Sequence, residues 1–149
     1  MKVSAVKQAA SEAEVYRLEE QVGYILRQAS QRHAAIFAAR IPGDLTATQF
    51  AALAKLAECG ACSQNHLGRM TSMDGATIKG VTDRLIQRGF IEARPDPEDN
   101  RRRVLALTPL GLETAQSAIP AALAITDETL APLTESERVE FLELLKKLR

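Results

Sequence analysis

The stretch from Asp74 to Thr108 constrains this chain more than any other, because its hydrophobic period changes within it from helical to extended. It reads DGATIKGVTDRLIQRGFIEARPDPEDNRRRVLALT. In its first part Ile78, Val81, Thr82 and Leu85 recur at helical spacing and make one buried stripe. Ala76, Thr77, Lys79, Gly80, Asp83 and Arg84 then point elsewhere. Asp74 suits the N-cap, where its carboxylate takes up free N–H groups of the first turn. Gly89 suits the position just past the helix, where a left-handed backbone disfavours a side chain. Beyond it, Phe90–Arg94 and Arg103–Leu107 read as strands, and the PDPEDNRR segment between them, with its prolines and acids, can only turn. The stretch predicts a helix followed at once by a β-hairpin with a charged tip.

A helix followed by a basic hairpin is the outline of a winged helix-turn-helix, whose helix lies in a major groove while the wing reaches a neighbouring one. The upstream sequence supplies the missing half. Ser63 can cap a short helix over Gln64–Met70 with Leu67 and Met70 inward, and Thr71-Ser72-Met73 makes the turn. The free N–H groups at that helix start, around Ser63, Gln64 and Asn65, suit a phosphate. On the second helix, Thr77 can contact a phosphate or a thymine methyl, and Lys79 a phosphate or a guanine. Arg84 can touch phosphate or pair with Asp83 or Glu92. Gly80 weakens a helix interior by roughly 1 kcal/mol relative to alanine, so it either permits close approach to DNA or is simply tolerated; Ala76 is counted with it among the DNA-binding residues.

The stretch resembles the DNA-binding core of the multiple-antibiotic-resistance regulator (MarR) family. The residues that carry the resemblance are Asp74-Gly75-Ala76-Thr77-Ile78, Asp83-Arg84-Leu85, Arg88-Gly89-Phe90-Ile91, Asp99-Asn100-Arg101, and Leu107-Thr108 followed by Gly111. The resemblance implies that Arg101 enters the minor groove and that Asp99 orients it by a charge-assisted hydrogen bond. Arg102 and Arg103 are then phosphate contacts or plain solvated charges.

The flanking segments are helical. A long helix is expected over about Glu12–Ile41, after a loose arm at residues 1–11, and Pro42-Gly43 stops it. Thr46-Ala47-Thr48-Gln49 is a capping box for a helix ending near Cys59-Gly60. Pro109 opens a helix that Pro120 bends and Pro132 ends, and Thr134-Glu135-Ser136-Glu137 caps a last one. The terminal helices are more apolar than the central unit requires. The resemblance, which covers the chain from about Val15, implies that they interlock between two subunits. One domain over residues 1–149 is expected, mainly α with a small β-hairpin wing: a winged helix-turn-helix lobe at about 46–108, dimerised through helices at about 12–41 and 109–149.

On the first helix, His33 and Arg40 interrupt an apolar stripe and face inward. A lone inward histidine is commonly a hydrogen-bonded core residue. Members of the resembled family, however, bind small aromatic carboxylates or their thioesters between the dimer helices and the DNA-binding lobe. That assigns His33, Phe37, Arg40 and His66 to a ligand pocket, with Arg27 and Arg32 as weaker candidates, the arginine holding a carboxylate bidentately.

Formal net charge is zero, with 19 basic and 19 acidic residues, so the electrostatic footprint must be local. Bases outnumber acids between Arg69 and Arg103. No G-x-S-x-G, Walker loop, dinucleotide glycine motif or H-E-x-x-H occurs, so neither catalytic residues nor a cofactor nor a metal is expected. No signal-peptide order and no membrane-length apolar run occurs, and the expectation is a cytoplasmic protein without membrane contact. Cys59-Gly60-Ala61-Cys62 is a C-x-x-C with His66 four residues on. It reads as two small buried residues at a helix end, or as a redox dithiol or half a zinc site. The expected function is a DNA-binding transcriptional regulator, a repressor that holds a palindromic operator as a homodimer and is released by a small aromatic carboxylate or thioester. The alternatives are a cysteine-based redox or metal sensor on the same scaffold, and a helical interaction module with a degenerate wing.

Overall fold

A computed structural model describes residues 15–149. The expected loose arm at residues 1–11, and the start of the expected first helix at residues 12–14, lie outside the described residues. A 3-10 turn at Leu18–Glu20 precedes α1 (Val22–Arg40), and a second at Pro42–Asp44 leads into α2 (Ala47–Cys59). Then come α3 (Gln64–Met70), α4 (Gly75–Gln87), β1 (Ile91–Pro95), β2 (Arg103–Leu107), α5 (Pro109–Thr129) and α6 (Glu135–Lys146). No helix among the described residues is long and apolar enough to cross a membrane.

The first helix therefore starts later than the sequence predicts. Gln21 is extended (φ −87°, ψ 137°) and carries no side-chain cap. Upstream of it Val15 and Tyr16 are 75% and 72% exposed. Among the described residues little covers an apolar face there, and packing of an apolar face supplies most helical stability.

The other boundaries follow their local chemistry. Thr46 and Gln49 form the reciprocal capping box, with Gln49 N–H to Thr46 Oγ1 at 3.2 Å and Thr46 N–H to Gln49 Oε1 at 3.2 Å. Thr134 and Glu137 repeat it at the start of α6. Gly89 takes the left-handed conformation (φ +77°). Phe90 is not the first strand residue but part of the helix exit: its N–H reaches Leu85 O and its ring is buried. α5 continues through Pro120 and ends at Thr129, before Pro132 is reached.

The core lies under α2, α3, α4, the hairpin and the first half of α5. Leu53, Leu67, Ile78 and Leu85 are almost wholly buried there, with Ile91, Leu105, Ala115 and Ala118 closing the far side. Burying each large aliphatic side chain contributes about 1.5–3 kcal/mol, so this lobe holds most of the folding energy visible in one chain. β1 and β2 pair antiparallel from Ile91↔Leu107 to Pro95↔Arg103. Cys62 adds a bridge to Leu105, donating at 3.1 Å and accepting at 2.7 Å. That bridge ties the segment before α3 to the wing. α5 is clamped on the helix exit: a Cβ on Gly111 would sit 1.8 Å from Phe90 O, so no other residue fits. By contrast α1 and α6 contain no buried residue.

Candidate nucleic-acid interface

Three elements carry the residues expected to meet DNA: α3, α4 and the wing. α4 buries Ile78, Val81, Thr82 and Leu85, which leaves Ala76, Thr77, Lys79, Gly80, Asp83 and Arg84 exposed on its opposite side. The helix is fixed at its start by Asp74, whose Oδ1 accepts Thr77 N–H at 2.7 Å. That bond holds the carboxyl below its usual range. In its middle, buried Thr82 donates Oγ1–H toward Gln64 Oε1 (3.0 Å) and Ile78 O (2.9 Å). Gln64, expected at the DNA surface, is thus also a strut between α3 and α4. Ser63 caps α3, accepting His66 N–H at 3.2 Å, and Asn65 stands exposed beside it.

Lys79 pairs with Asp83 at 2.8 Å, one turn along the exposed face. Such solvated pairs contribute little to stability, so DNA phosphate can compete for the lysine. Glu92 is held by Arg94. Asp83 and Glu92, the two acids that the sequence offers to Arg84, are both engaged by other cations, and among the described residues Arg84 has no ion pair.

The wing tip is organised by one carboxylate. Asp99 Oδ1 accepts the Arg101 N–H at 3.0 Å and the Arg101 Nε–H at 3.2 Å, while Oδ2 lies 3.8 Å from Arg102 Nε. Arg101 is nevertheless 91% exposed along its side chain. The guanidinium is aimed without being covered. Arg103, opposite Pro95, starts the second strand. Between wing and α3 a groove of about 480 Å³ is lined by Ser63, His66, Arg69, Arg102 and Arg103.

The expected ligand residues are not one group. His66 lines that groove beside the wing, with Arg69 Nη2 3.5 Å from its Nδ1. His33 and Arg40 are exposed in the single chain rather than inward. The physical reason is that α1 packs mainly on α5, whose end supplies polar partners. Arg40 is ion-paired with Glu128. His33 Nδ1 meets Thr129 Oγ1 at 2.8 Å. Arg32 donates to Thr129 O (2.6 Å) and Glu128 O (2.9 Å), capping carbonyls at the end of α5. Phe37 is half-buried, its ring 6.3 Å from that of Phe50. Arg27 stacks on Tyr24, 5.5 Å from the ring centroid. The capping role of Arg32 had no local signal in the sequence, since its partners lie on another helix. Beside His33, a cavity of about 350 Å³ is lined by Leu26, Ala29, Thr126, Leu130, Phe141 and Leu145.

The cysteines are free thiols, Cys59 exposed and Cys62 half-buried. Burial pushes the Cys62 thiol up, and Cys59 adds to it, which favours the less nucleophilic thiol form over the thiolate. No group of three metal-ligating side chains occurs among the described residues.

Comparison with known proteins places this geometry. The MarR family profile matches residues 45–102. The HTH-type transcriptional repressor NicR of Pseudomonas putida is 40% identical over 134 residues, 89% of this chain and 85% of NicR. A crystal structure of a probable transcriptional regulator from Pseudomonas aeruginosa superposes with a TM-score of 0.85 at 49% identity, over 89% of this chain and 100% of that one. BpsR of Bordetella bronchiseptica, in a structure concerned with regulation of its DNA binding by 6-hydroxynicotinic acid, gives a TM-score of 0.84 at 41% identity, over 90% and 96%.

Proposed function

The chain belongs to the MarR family of transcriptional regulators, and from that membership we propose that it is a repressor that binds a palindromic operator as a homodimer and leaves it when a small aromatic carboxylate binds. The observation that carries the DNA-binding part is Arg101, almost fully exposed yet held at two points by Asp99. Holding a long cation in place costs side-chain entropy, and a solvated surface charge has no use for it. Groove insertion does. In this reading α4 presents Ala76, Thr77, Lys79 and Gly80 to a major groove. Ser63, Gln64, Asn65, Arg84, Arg102 and Arg103 meet the phosphates that fix its register.

For the effector, BpsR lends the chemistry of a hydroxylated heteroaromatic acid. In this chain Arg40 and His33 on α1, with Phe37 between them, are the groups suited to such a ligand. Arg40 already holds the Glu128 carboxylate, so an effector carboxylate would exchange with Glu128 and loosen α1 from the end of α5. Release from DNA follows when the bound form spaces the two recognition helices differently from the operator.

The test is fluorescence anisotropy of the full chain on a duplex selected from random-sequence DNA by the protein itself, titrated with 6-hydroxynicotinate and with benzoate. Selection of a palindrome, and its release by either acid, is the expected result. Failure to enrich any sequence would remove the operator reading. Enrichment without release by either acid would remove the effector reading alone.

A further inference from the structure

The end of the recognition helix is tied to the turn between α1 and α2 by one side chain. Arg88, the C-cap of α4, donates Nη1–H to Asp44 O at 3.1 Å and to Gln49 Oε1 at 3.1 Å, and Nη2–H to Gly43 O. Its guanidinium also lies over the Phe90 ring, 4.7 Å from the centroid. One planar fork thus joins α4, the entry to β1, the turn after α1 and the first turn of α2.

The acceptor side is unusual. Gly43 and Asp44 are both left-handed, with φ of +76° and +51°. A non-glycine residue there is strained, and such strain persists where the surroundings over-determine it. Both carbonyls of this strained turn are used by Arg88. Gln49 is buried, and its Oε1 serves the Thr46 cap and Arg88 together. A lysine could supply the charge but not the rigid fork that reaches several acceptors at once.

We propose that Arg88 is a positioning residue for sequence-specific DNA recognition, setting the pose of α4 against the α1–α2 turn. It rests on the repressor reading only in requiring that the protein selects a DNA sequence. Since three of its N–H donors go to Asp44, Gln49 and Gly43 and its plane lies over Phe90, Arg88 acts on the operator through α4, not through phosphate. Loss of the strut lets the helix shift at its C-terminal end, which degrades base readout while leaving the phosphate contacts of the wing and α3.

The experiment uses the full chain, the duplex selected by the wild-type protein and a scrambled duplex, over a salt series. Arg88→Lys and Arg88→Gln are both expected to lose roughly tenfold in the selected-to-scrambled affinity ratio, about the effect of one mismatched base pair. Affinity for scrambled DNA and the salt slope should stay as in wild type. Gln49→Glu keeps the capping box and gives the fork a charged acceptor, so its ratio should equal or exceed that of wild type. Wild-type selectivity in Arg88→Lys would overturn the proposal, because charge alone would suffice. So would an equal loss on both duplexes with a shallower salt slope, which marks a phosphate contact. Arg88 variants that fail to fold would also overturn it, assigning the residue to stability. A wild-type protein that selects no sequence would instead defeat the repressor reading.

Discussion

At the wing tip a single carboxylate divides its oxygens between two arginines, and truncating either partner separates aim from charge. Arg101→Ala removes a side chain that is 91% exposed, so the fold should be unchanged by circular dichroism. If the guanidinium reads base edges, operator affinity should fall by on the order of 1–3 kcal/mol per site. Asp99→Ala should act in the same direction but more weakly, because the cation stays and only its orientation is lost. Anisotropy on operator and scrambled duplexes decides: Arg101→Ala binding like wild type at every salt concentration would mean that the wing does not read DNA. Gly111 offers the opposite kind of residue, one with a structural duty alone. A methyl there would sit 1.8 Å from Phe90 O, so α5 must move off the helix exit. Gly111→Ala should lower the melting temperature strongly, a loss of several kcal/mol of the kind reserved for overpacked cores and strained backbones. A melting curve equal to that of wild type would show that α5 is not seated there.

For the elements, caps and periods in the sequence located α2, α3, α4, the hairpin and α6 closely. Each is specified by groups within a few residues: Thr46 with Gln49, Ser63 with His66, Asp74 with Thr77, Thr134 with Glu137. What stayed hidden depends on distant partners. The start of α1 falls later than the sequence pattern predicts because, among the described residues, positions 15–20 stay exposed. The sequence pattern turns His33 and Arg40 inward because Thr129 and Glu128, which engage them, are some ninety positions away in sequence. In α4, Gly80 poses a question that only function can answer. A Cβ there meets nothing within 4 Å. Gly80→Ala should therefore stabilise the free protein, by roughly 1 kcal/mol on helix propensity. If Gly80 lets the helix approach the bases, the same variant should bind operator more weakly. A higher melting temperature with unchanged operator affinity would make the glycine merely tolerated. The C-x-x-C segment carries its own test. Cys62 spends its backbone on Leu105 and its thiol is pushed up. Cys59→Ser with Cys62→Ser should leave operator binding and effector release nearly unchanged, and an oxidant response lost in that double variant would restore the sensor reading.

At the scale of the whole molecule the apolar surface is unevenly distributed. The central lobe closes on its own core, whereas Val22, Leu123, Val139 and Leu148 on α1, on α5 and at the α6 end are 66%, 65%, 66% and 71% exposed. Exposed apolar area concentrated on neighbouring helices marks an association surface, and two copies of this chain covering it is the reading that the family offers. Covering each such side chain contributes about 1.5–3 kcal/mol, enough over a typical interface to hold a dimer against its association entropy. Sedimentation should give twice the chain mass. Leu123→Glu combined with Val139→Glu places unpaired carboxylates where the surface would be dry, at a cost of several kcal/mol. That variant should sediment as a monomer while keeping its helical circular dichroism, since neither side chain belongs to the core. Its operator affinity should then collapse toward its affinity for scrambled DNA. Two recognition helices held about one helical turn apart read two half-sites at once, and a monomer has only one helix to offer. A monomeric variant that binds the full operator as tightly as wild type would show that α1, α5 and α6 do not set half-site spacing, and the symmetric repressor would have to be abandoned even with every wing contact intact.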